Sequence, residues 1–156
     1  MVYCCFCHTP LGRMLLAQEE EELILVEFDA APLKNWQQAD TPLLVQAKAQ
    51  LSEYFAGTRQ EFTLPLSPKG TPFQQKVWAA LQTIPYGQTR SYGEIARQIG
   101  SPKAARAVGM ANHHNPIAIL IPCHRVVGQN GALTGYAGGL ERKKALLQLE
   151  GCPILK

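Results

Sequence analysis

The stretch SYGEIARQIGSPKAARAVGMAN, residues 91–112, narrows the possible folds more than any other, because it carries the signals of two helices separated by a very short turn. Ser91 and Glu94 form the sequence pattern of a capping box at the start of the first helix. Ser101 and Pro102 are typical of the start of the second, which is rich in alanine and glycine. This is the pattern of a helix-turn-helix, which places its second helix in a groove of DNA. An ordinary helical hairpin, whose small residues allow close packing, is the alternative.

The rest of the chain divides near residue 70. A helix that starts at Pro42 and runs for roughly 13 residues follows three predicted strands, which span residues 2–7, 13–18 and 23–28. Residues 58–70 carry two prolines and no helical period, which is typical of a connector. We therefore predict two domains, an α/β one over residues 1–70 and a second over residues 71–156.

The two predicted domains carry opposite net charge. Residues 1–70 hold five Lys or Arg and nine Asp or Glu, whereas residues 71–156 hold ten and three. The domains therefore carry about −4 and +7, although the whole chain carries only +3. A strongly basic domain favours a polyanionic partner such as nucleic acid, and an ordinary solvated surface is the alternative.

Length and composition favour a globular protein of the cytoplasm. With 156 residues, 46% of them hydrophobic, the chain is long enough to bury a core. We find no apolar run of membrane-spanning length and no pattern of a secretion signal, so we expect a cytoplasmic protein with no membrane partner. The five cysteines, an odd number, are then expected to be free thiols.

Three of those cysteines lie in CCFCH, residues 4–8, which has the C-x-x-C-H pattern of haem attachment. Cys4, Cys5, Cys7 and His8 are also residue types that bind zinc. If the segment is a strand, however, Cys4 and Cys7 point to opposite faces and cannot hold one ligand. We therefore predict small hydrophobic core residues here and no metal site.

The segment IPCHRVVG, residues 121–128, joins an apolar run to a cysteine, a histidine and an arginine. The β-branched run Ile117–Ile121 predicts a buried strand, with Cys123 just beyond its end. His124 is a candidate base for Cys123, because a free thiol with a pKa near 8.5 needs a base or a positive charge to become a good nucleophile. Adjacent side chains of a strand point to opposite faces, so the pair needs a turn or a bridging water.

A carboxylate that orients the imidazole would complete the relay. The basic domain offers three acidic residues, and the pattern alone leaves the choice among them open: Glu94, Glu141 and Glu150. Glu150 lies at the end of a helix predicted to start near Leu140.

The segments NPIAILIPCHRVVG, residues 115–128, and GYAGGLERKKALLQLEG, residues 135–151, resemble the active-site region of the O6-alkylguanine-DNA alkyltransferases, also called methylated-DNA–protein-cysteine methyltransferases. SYGEIA and ARAVGMA match the same family. The resemblance covers Thr71–Gly151 closely, whereas the first 70 residues are similar only in length and element order. It implies an α/β fold, with a small ribonuclease H-like amino-terminal domain and a mostly helical carboxy-terminal domain that contains the helix-turn-helix.

The resemblance is to the bacterial type of this family, and the function it implies is DNA repair. The alkyl group of O6-alkylguanine in double-stranded DNA moves irreversibly to a cysteine of the protein itself, after the nucleotide is flipped out, so each molecule acts once. No cofactor is expected, and the implied partner is alkylated duplex DNA bound by a monomer. Alkyl-group size, O4-alkylthymine as a second substrate and cooperative binding along DNA are left open.

The same resemblance implies the catalytic residues. Cys123 accepts the alkyl group, His124 deprotonates it through a water, and Glu150 is the carboxylate partner of that histidine. Tyr92 matches the tyrosine that rotates the target phosphate and gives a proton to the departing guanine. Arg106 matches the arginine that fills the space of the flipped base, an extrusion that the chemistry requires because a stacked base cannot reach a protein thiol.

Further residues are implied to bind DNA or to support the site. Ala105 and Ala107 flank Arg106 on a small-residue helix that is expected to enter the minor groove. The residues implied to line and support the substrate pocket are Asn115, Val126, Tyr136 and Ala137. Among them, Asn115 resembles the asparagine that ties the helix-turn-helix to the active-site turn, and Tyr136 resembles the aromatic wall of the pocket.

Two other classes of protein stay open. A lesion-binding protein of the same fold flags damage without chemistry, and in such proteins the acceptor cysteine is replaced, so Cys123 favours the transferase. A cysteine hydrolase would use a Cys-His pair without a helix-turn-helix or a basic domain.

Overall fold

The computed structural model describes residues 1–153. They form two compact units, Met1–Lys69 and a second unit that begins at Gly70. The sequence predicts two separate domains that divide after residue 70, and this division stays a prediction. Within the described part of the chain, no helix is long and apolar enough to cross a membrane.

The first unit is built on a four-stranded sheet in the order β3-β2-β1-β4. Its antiparallel meander consists of the three predicted strands, β1 (Val2–Thr9), β2 (Gly12–Glu19) and β3 (Glu22–Phe28). The fourth strand, β4 (Gln37–Gln38), pairs in parallel with β1. The sequence did not predict β4, because two polar residues carry no alternating pattern.

One helix, α1 (Pro42–Phe55), packs on this sheet. Its start is fixed by Thr41, whose hydroxyl oxygen accepts a hydrogen bond from the amide of Leu44 at 3.1 Å. The side that faces the sheet is apolar and buried, and it includes Leu43, Leu44, Ala47, Leu51 and Tyr54. The predicted helix is therefore confirmed.

The second unit is mostly helical. Its helices are α2 (Pro72–Leu81), α3 (Tyr92–Gln98), α4 (Ala105–His113) and α5 (Leu140–Leu149). Two short strands, β5 (Arg90–Ser91) and β6 (Val126–Val127), pair in parallel. The core joins α2 to α4 through Trp78, whose Nε1 donates to the backbone oxygen of Ala111 at 2.9 Å.

Helices α3 and α4 are the two predicted for a helix-turn-helix, and they pack against each other. Ser91 and Glu94 form the predicted capping box, with both of its hydrogen bonds present. The predicted start of the second helix at Ser101 is wrong, since α4 begins at Ala105. Gly100 ends α3 with a φ of +80°, and the next residues form a turn in which the oxygen of Ser101 accepts from the amide of Ala104 at 2.9 Å.

The run Ile117–Ile121 is a buried turn, and the strand predicted for it is wrong. Asn115 holds this turn: its Oδ1 accepts from the amide of Ile117 at 3.0 Å, and its Nδ2 donates to the oxygen of Ile121 at 2.8 Å. Ile119 adopts a left-handed φ of +72°, which a strand does not allow. A short apolar run reports burial but not backbone conformation, so the sequence pattern was ambiguous here.

Candidate active site

Cys123 begins a 3₁₀ turn that extends to Arg125. Its amide donates to the backbone oxygen of Ile121 at 2.7 Å. Because the chain turns here, the side chains of Cys123 and His124 are not forced to opposite faces as they would be in a strand. The thiol lies in the interior, with 3% of the residue exposed.

His124 and Arg125 both bind the carboxylate of Glu150, the residue that caps α5. Nε2 of His124 lies 2.7 Å from Oε2 of Glu150. Nε of Arg125 donates to Oε1 at 2.8 Å and Nη2 donates to Oε2 at 3.0 Å, the paired geometry that guanidinium and carboxylate groups favour. Of the three candidate carboxylates, Glu150 is thus the one that contacts His124.

This arrangement fixes the charge of Glu150 and the tautomer of His124. Burial alone would raise the pKa of Glu150, but the hydrogen bonds and charges of His124 and Arg125 outweigh it and lower that pKa to about 2. The ionised carboxylate can only accept, so Nε2 of His124 carries the hydrogen of their bond. Burial lowers the pKa of His124, against the opposing effect of Glu150. Nδ1 is then an unprotonated acceptor with no partner among residues 1–153.

Burial and opposing polar contacts, two of them with backbone groups of Cys123 and His124, set the state of the Cys123 thiol. Burial is the largest effect and raises its pKa, whereas a hydrogen bond with the side chain of Asn115 and the charge of Lys143 act in the opposite direction. Lys143 is itself buried, and its Nζ donates to the backbone oxygens of Val126 at 2.6 Å and Thr134 at 2.7 Å. Burial lowers the pKa of Lys143 to about 8. The thiol is therefore protonated at rest, in surroundings that stabilise its anion once the proton leaves.

Two asparagines connect α4 to this turn. Asn112, in the last turn of α4, donates from Nδ2 to the backbone oxygen of Cys123 at 3.3 Å. Asn115 follows the helix and braces the segment that leads to Cys123. A displacement of α4 would therefore also shift the backbone of Cys123.

Tyr92 is the first residue of α3 and is half-buried. Its phenol oxygen lies 2.9 Å from Oγ1 of Thr134, in the loop before α5. Its ring lies against α4, where an added Cβ on Gly109 would come within 3.8 Å of it. Tyr92 thus stands between α4 and the loop that Lys143 holds.

Comparison with known proteins decides the family of a chain with this site. Residues 72–152 match the family model described as "6-O-methylguanine DNA methyltransferase, DNA binding domain", and residues 2–68 match "6-O-methylguanine DNA methyltransferase, ribonuclease-like domain". This chain belongs to the 6-O-methylguanine DNA methyltransferase family. The resemblance and the fold class inferred from the sequence are both confirmed.

Relatives of this family match almost the whole chain. The identity is 51% to the constitutive methylated-DNA–protein-cysteine methyltransferase of Bacillus subtilis (strain 168), over 94% of this chain and 93% of the relative. It is 52% to the methylated-DNA–protein-cysteine methyltransferase of Methanosarcina acetivorans, over 97% and 99%. A solved structure of Mycobacterium tuberculosis OGT in complex with DNA is similar with a TM-score of 0.87 and 51% identity, over 96% of this chain and 91% of that chain.

The other implied site residues differ in exposure. On α4, in the part that matches the family's DNA-binding domain, Arg106 and Ala107 are exposed and Ala105 is half-buried. The implied pocket residues Asn115, Val126 and Tyr136 are buried, whereas Ala137 is exposed. Burial raises the pKa of Tyr136 well above its usual value, and ionisation of Cys123 adds to that effect. The hydroxyl of Tyr136 has no partner within residues 1–153.

Reasoning from the sequence noted Arg125 in the motif without giving it a role, and it missed Lys143 and Thr134. A signal for Lys143 was present, because it lies three residues before Leu146 and four before Leu147 on the buried face of α5. A lysine at such a position needs a buried partner. Arg125 and Thr134 gave no comparable signal, since their roles depend on contacts distant in sequence.

The amino-terminal cysteines lie on β1, where Cys4 packs with Leu15 and Ala17, while Cys5 and Cys7 lie near Lys48 of α1. Their side chains therefore alternate between the two faces of the sheet. Within residues 1–153, no group of three or more His, Cys, Asp or Glu residues is placed to hold a metal ion.

Proposed function

We propose that this DNA repair methyltransferase takes the alkyl group of O6-alkylguanine onto the sulfur of Cys123, irreversibly and once per molecule. The observation that carries the proposal is the buried series of Cys123, His124 and Glu150, which supplies a nucleophile, an unprotonated ring nitrogen and an anchored carboxylate. Double-stranded DNA is the partner, in keeping with the family's DNA-binding domain. O4-alkylthymine is a second substrate to test in the same assay.

The reaction begins with transfer of the thiol proton to Nδ1 of His124, directly or through a water molecule. Glu150 stabilises the imidazolium so formed, and Lys143 and Asn115 stabilise the thiolate. The sulfur attacks the alkyl carbon, so that a carbon–sulfur bond forms while the bond to guanine O6 breaks and its electrons pass to the guanine. The resulting thioether has no base or nucleophile to release it, so Cys123 is spent.

Tyr92 serves the leaving group. Guanine departs as an anion unless a donor neutralises it, and the phenol of Tyr92 gives its proton to the ring as the bond breaks. Tyr92 also turns the phosphate of the target nucleotide so that the base enters the protein. Its position at the start of α3, against α4, supports both roles.

Helix α4 holds the opened duplex. Arg106 enters the space left by the flipped base, which offsets part of the cost of unstacking, a few kcal/mol. Ala105 and Ala107 on either side have no long side chains, so the helix can approach the floor of the minor groove closely. Val126, Tyr136 and Ala137 line the pocket that takes the extruded base.

The protein acts in the cytoplasm as a monomer, with cooperative assembly on DNA as an alternative. All five cysteines are free thiols, in keeping with a reducing compartment. Sedimentation with and without duplex DNA measures the number of chains per complex. A stable dimer without DNA would contradict the monomer.

Mass spectrometry tests the proposed function. Protein mixed with O6-methylguanine duplex should gain one methyl group per chain, mapped to Cys123, and Cys123→Ala should gain none while still binding the duplex. A protein that binds the lesion without any adduct would be a damage-binding protein. Turnover without an adduct would indicate a hydrolase. Either result would overturn transfer to Cys123.

A further inference from the structure

Thr134 is the hydrogen-bond partner of Tyr92. The two hydroxyl oxygens are 2.9 Å apart, a distance at which either group can donate to the other. The residues are 42 positions apart in the chain, so the loop before α5 must be in place for the bond to form. Neither the sequence pattern nor the family resemblance singled out this threonine.

The other parts of Thr134 are fixed independently of Tyr92. Its backbone oxygen accepts from Nζ of Lys143 at 2.7 Å. Its methyl group lies against Gly128, where an added Cβ would come within 3.2 Å of Cγ2. With the backbone and the methyl group both held, the hydroxyl is directed at the phenol and has few alternative orientations.

We propose that Thr134 is a positioning residue for alkyl transfer, which holds the Tyr92 phenol and supports its donation of a proton. The inference rests on the proposed role of Tyr92. When the bond from the alkyl carbon to O6 breaks, the guanine takes the electron pair and the phenol proton. Negative charge then remains on the phenol oxygen until solvent returns a proton. The Thr134 hydroxyl donates to that oxygen and stabilises the charge as it develops.

Such a bond acts on the rate and not on binding, because it is strengthened only as charge develops in the transition state. Packing against Gly128, in contrast, depends on the methyl group of Thr134 and not on its hydroxyl. The two contributions can therefore be separated by changing one group at a time.

The test compares Thr134→Val, which removes the hydroxyl at nearly constant shape, with Thr134→Ser, which keeps it and removes the methyl group. At saturating O6-methylguanine duplex, Thr134→Val should lower the single-turnover rate about tenfold at unchanged duplex affinity. Thr134→Ser should stay within about twofold of the unmodified protein. A loss of rate in Thr134→Ser that exceeds the loss in Thr134→Val would mean that the methyl group matters more than the hydroxyl, and would overturn the proposal.

A double-mutant cycle with Tyr92→Phe makes the test specific. In that background Thr134→Val should lower the rate no further, because the oxygen on which Thr134 acts is gone. Equal losses in the two backgrounds would contradict the proposal, as would a wild-type rate in Thr134→Val. An unmodified protein that forms no adduct on Cys123 would instead contradict the proposed function, so the two failures are distinguishable.

Discussion

At the scale of single residues, Cys123 differs from the other cysteines in its neighbours and not in its burial. All five cysteines are buried free thiols. Burial raises the pKa of Cys5, to about 11, and it also raises the pKa of Cys123. Cys5 even has a lysine nearby, Lys48. Only beside Cys123, within residues 1–153, does a histidine with a carboxylate partner follow the thiol in sequence.

Glu150→Gln tests that partnership. The neutral amide cannot stabilise an imidazolium, so the single-turnover rate should fall by about tenfold to a hundredfold. The change also leaves Arg125 buried without its counter-charge, which should cost roughly 3 kcal/mol of stability, measured by denaturant unfolding. Glu141→Gln, an exposed change in the first turn of α5, is the matched control and should leave both quantities unchanged. An equal loss of rate in the control would contradict the assignment.

The pH dependence of transfer follows from the two buried groups of the relay. Burial lowers the pKa of His124 and raises that of Cys123, so at neutral pH the transferable proton is on the sulfur and Nδ1 of His124 is unprotonated. The rate should therefore be flat across neutral pH and should fall where His124 itself becomes protonated, below about pH 6.5. It should also fall above about pH 8, where Lys143 loses the charge that stabilises the thiolate. Single-turnover rates from about pH 5 to about pH 8.5 measure this. If the rate instead fell tenfold for each unit by which the pH is lowered, throughout that range, Cys123 would ionise without the help of the histidine.

At the scale of elements, the sequence predicted well those features that depend on residues close together in the chain. The start of α1 and the capping box of α3 depend on residues within one turn, and both were predicted. The turn over 117–121 could not be predicted from the apolar pattern. It is held by the side chain of Asn115 and by a backbone hydrogen bond from the amide of Ile121 to the oxygen of Ile117 at 3.0 Å, in place of the ladder of a strand. The same distinction applies to the site. Cys123 and His124 are adjacent in one sequence motif and were predicted, whereas the charge of Lys143 acts on the thiol only in the folded structure.

Helix α4 gives the prediction that belongs to this scale. If Arg106 fills the space of the extruded base, Arg106→Ala should slow transfer from duplex DNA about a hundredfold but transfer from free O6-alkylguanine base by less than about twofold. The free base needs no flipping. Lys103→Ala removes an exposed positive charge just before α4 and is the control for charge alone. Equal losses on both substrates would contradict the role.

At the scale of the whole molecule, the charge difference between the two parts of the chain predicts how DNA is bound. The part from residue 71 carries about +7 and the preceding part about −4. Affinity for unmodified duplex should fall steeply and linearly in a plot of log affinity against log salt concentration, with little dependence on base sequence. Fluorescence anisotropy with two unrelated duplexes measures both. An affinity that does not change with salt would mean that the charge lies on an ordinary solvated surface.

The amino-terminal cysteines should contribute stability and no chemistry. Replacing Cys4, Cys5 and Cys7 together by alanine leaves a small void at each buried sulfur and should lower the melting temperature. The folded variant should still accept one alkyl group per chain from labelled duplex DNA. If the variant folds normally but accepts no alkyl group, the assignment of Cys123 as the sole acceptor is wrong.

Lys143 has a consequence for how the loop between β6 and α5 is closed. Its ammonium group binds Val126, in the strand before this loop, and Thr134 and Gly135 within the loop. No disulfide closes the loop, since all five cysteines are free. Lys143 is in effect a reversible cross-link that needs no oxidant, and like a covalent one it reduces the number of conformations open to the segment it spans. Limited proteolysis should therefore cut this loop much faster in Lys143→Met than in the unmodified protein.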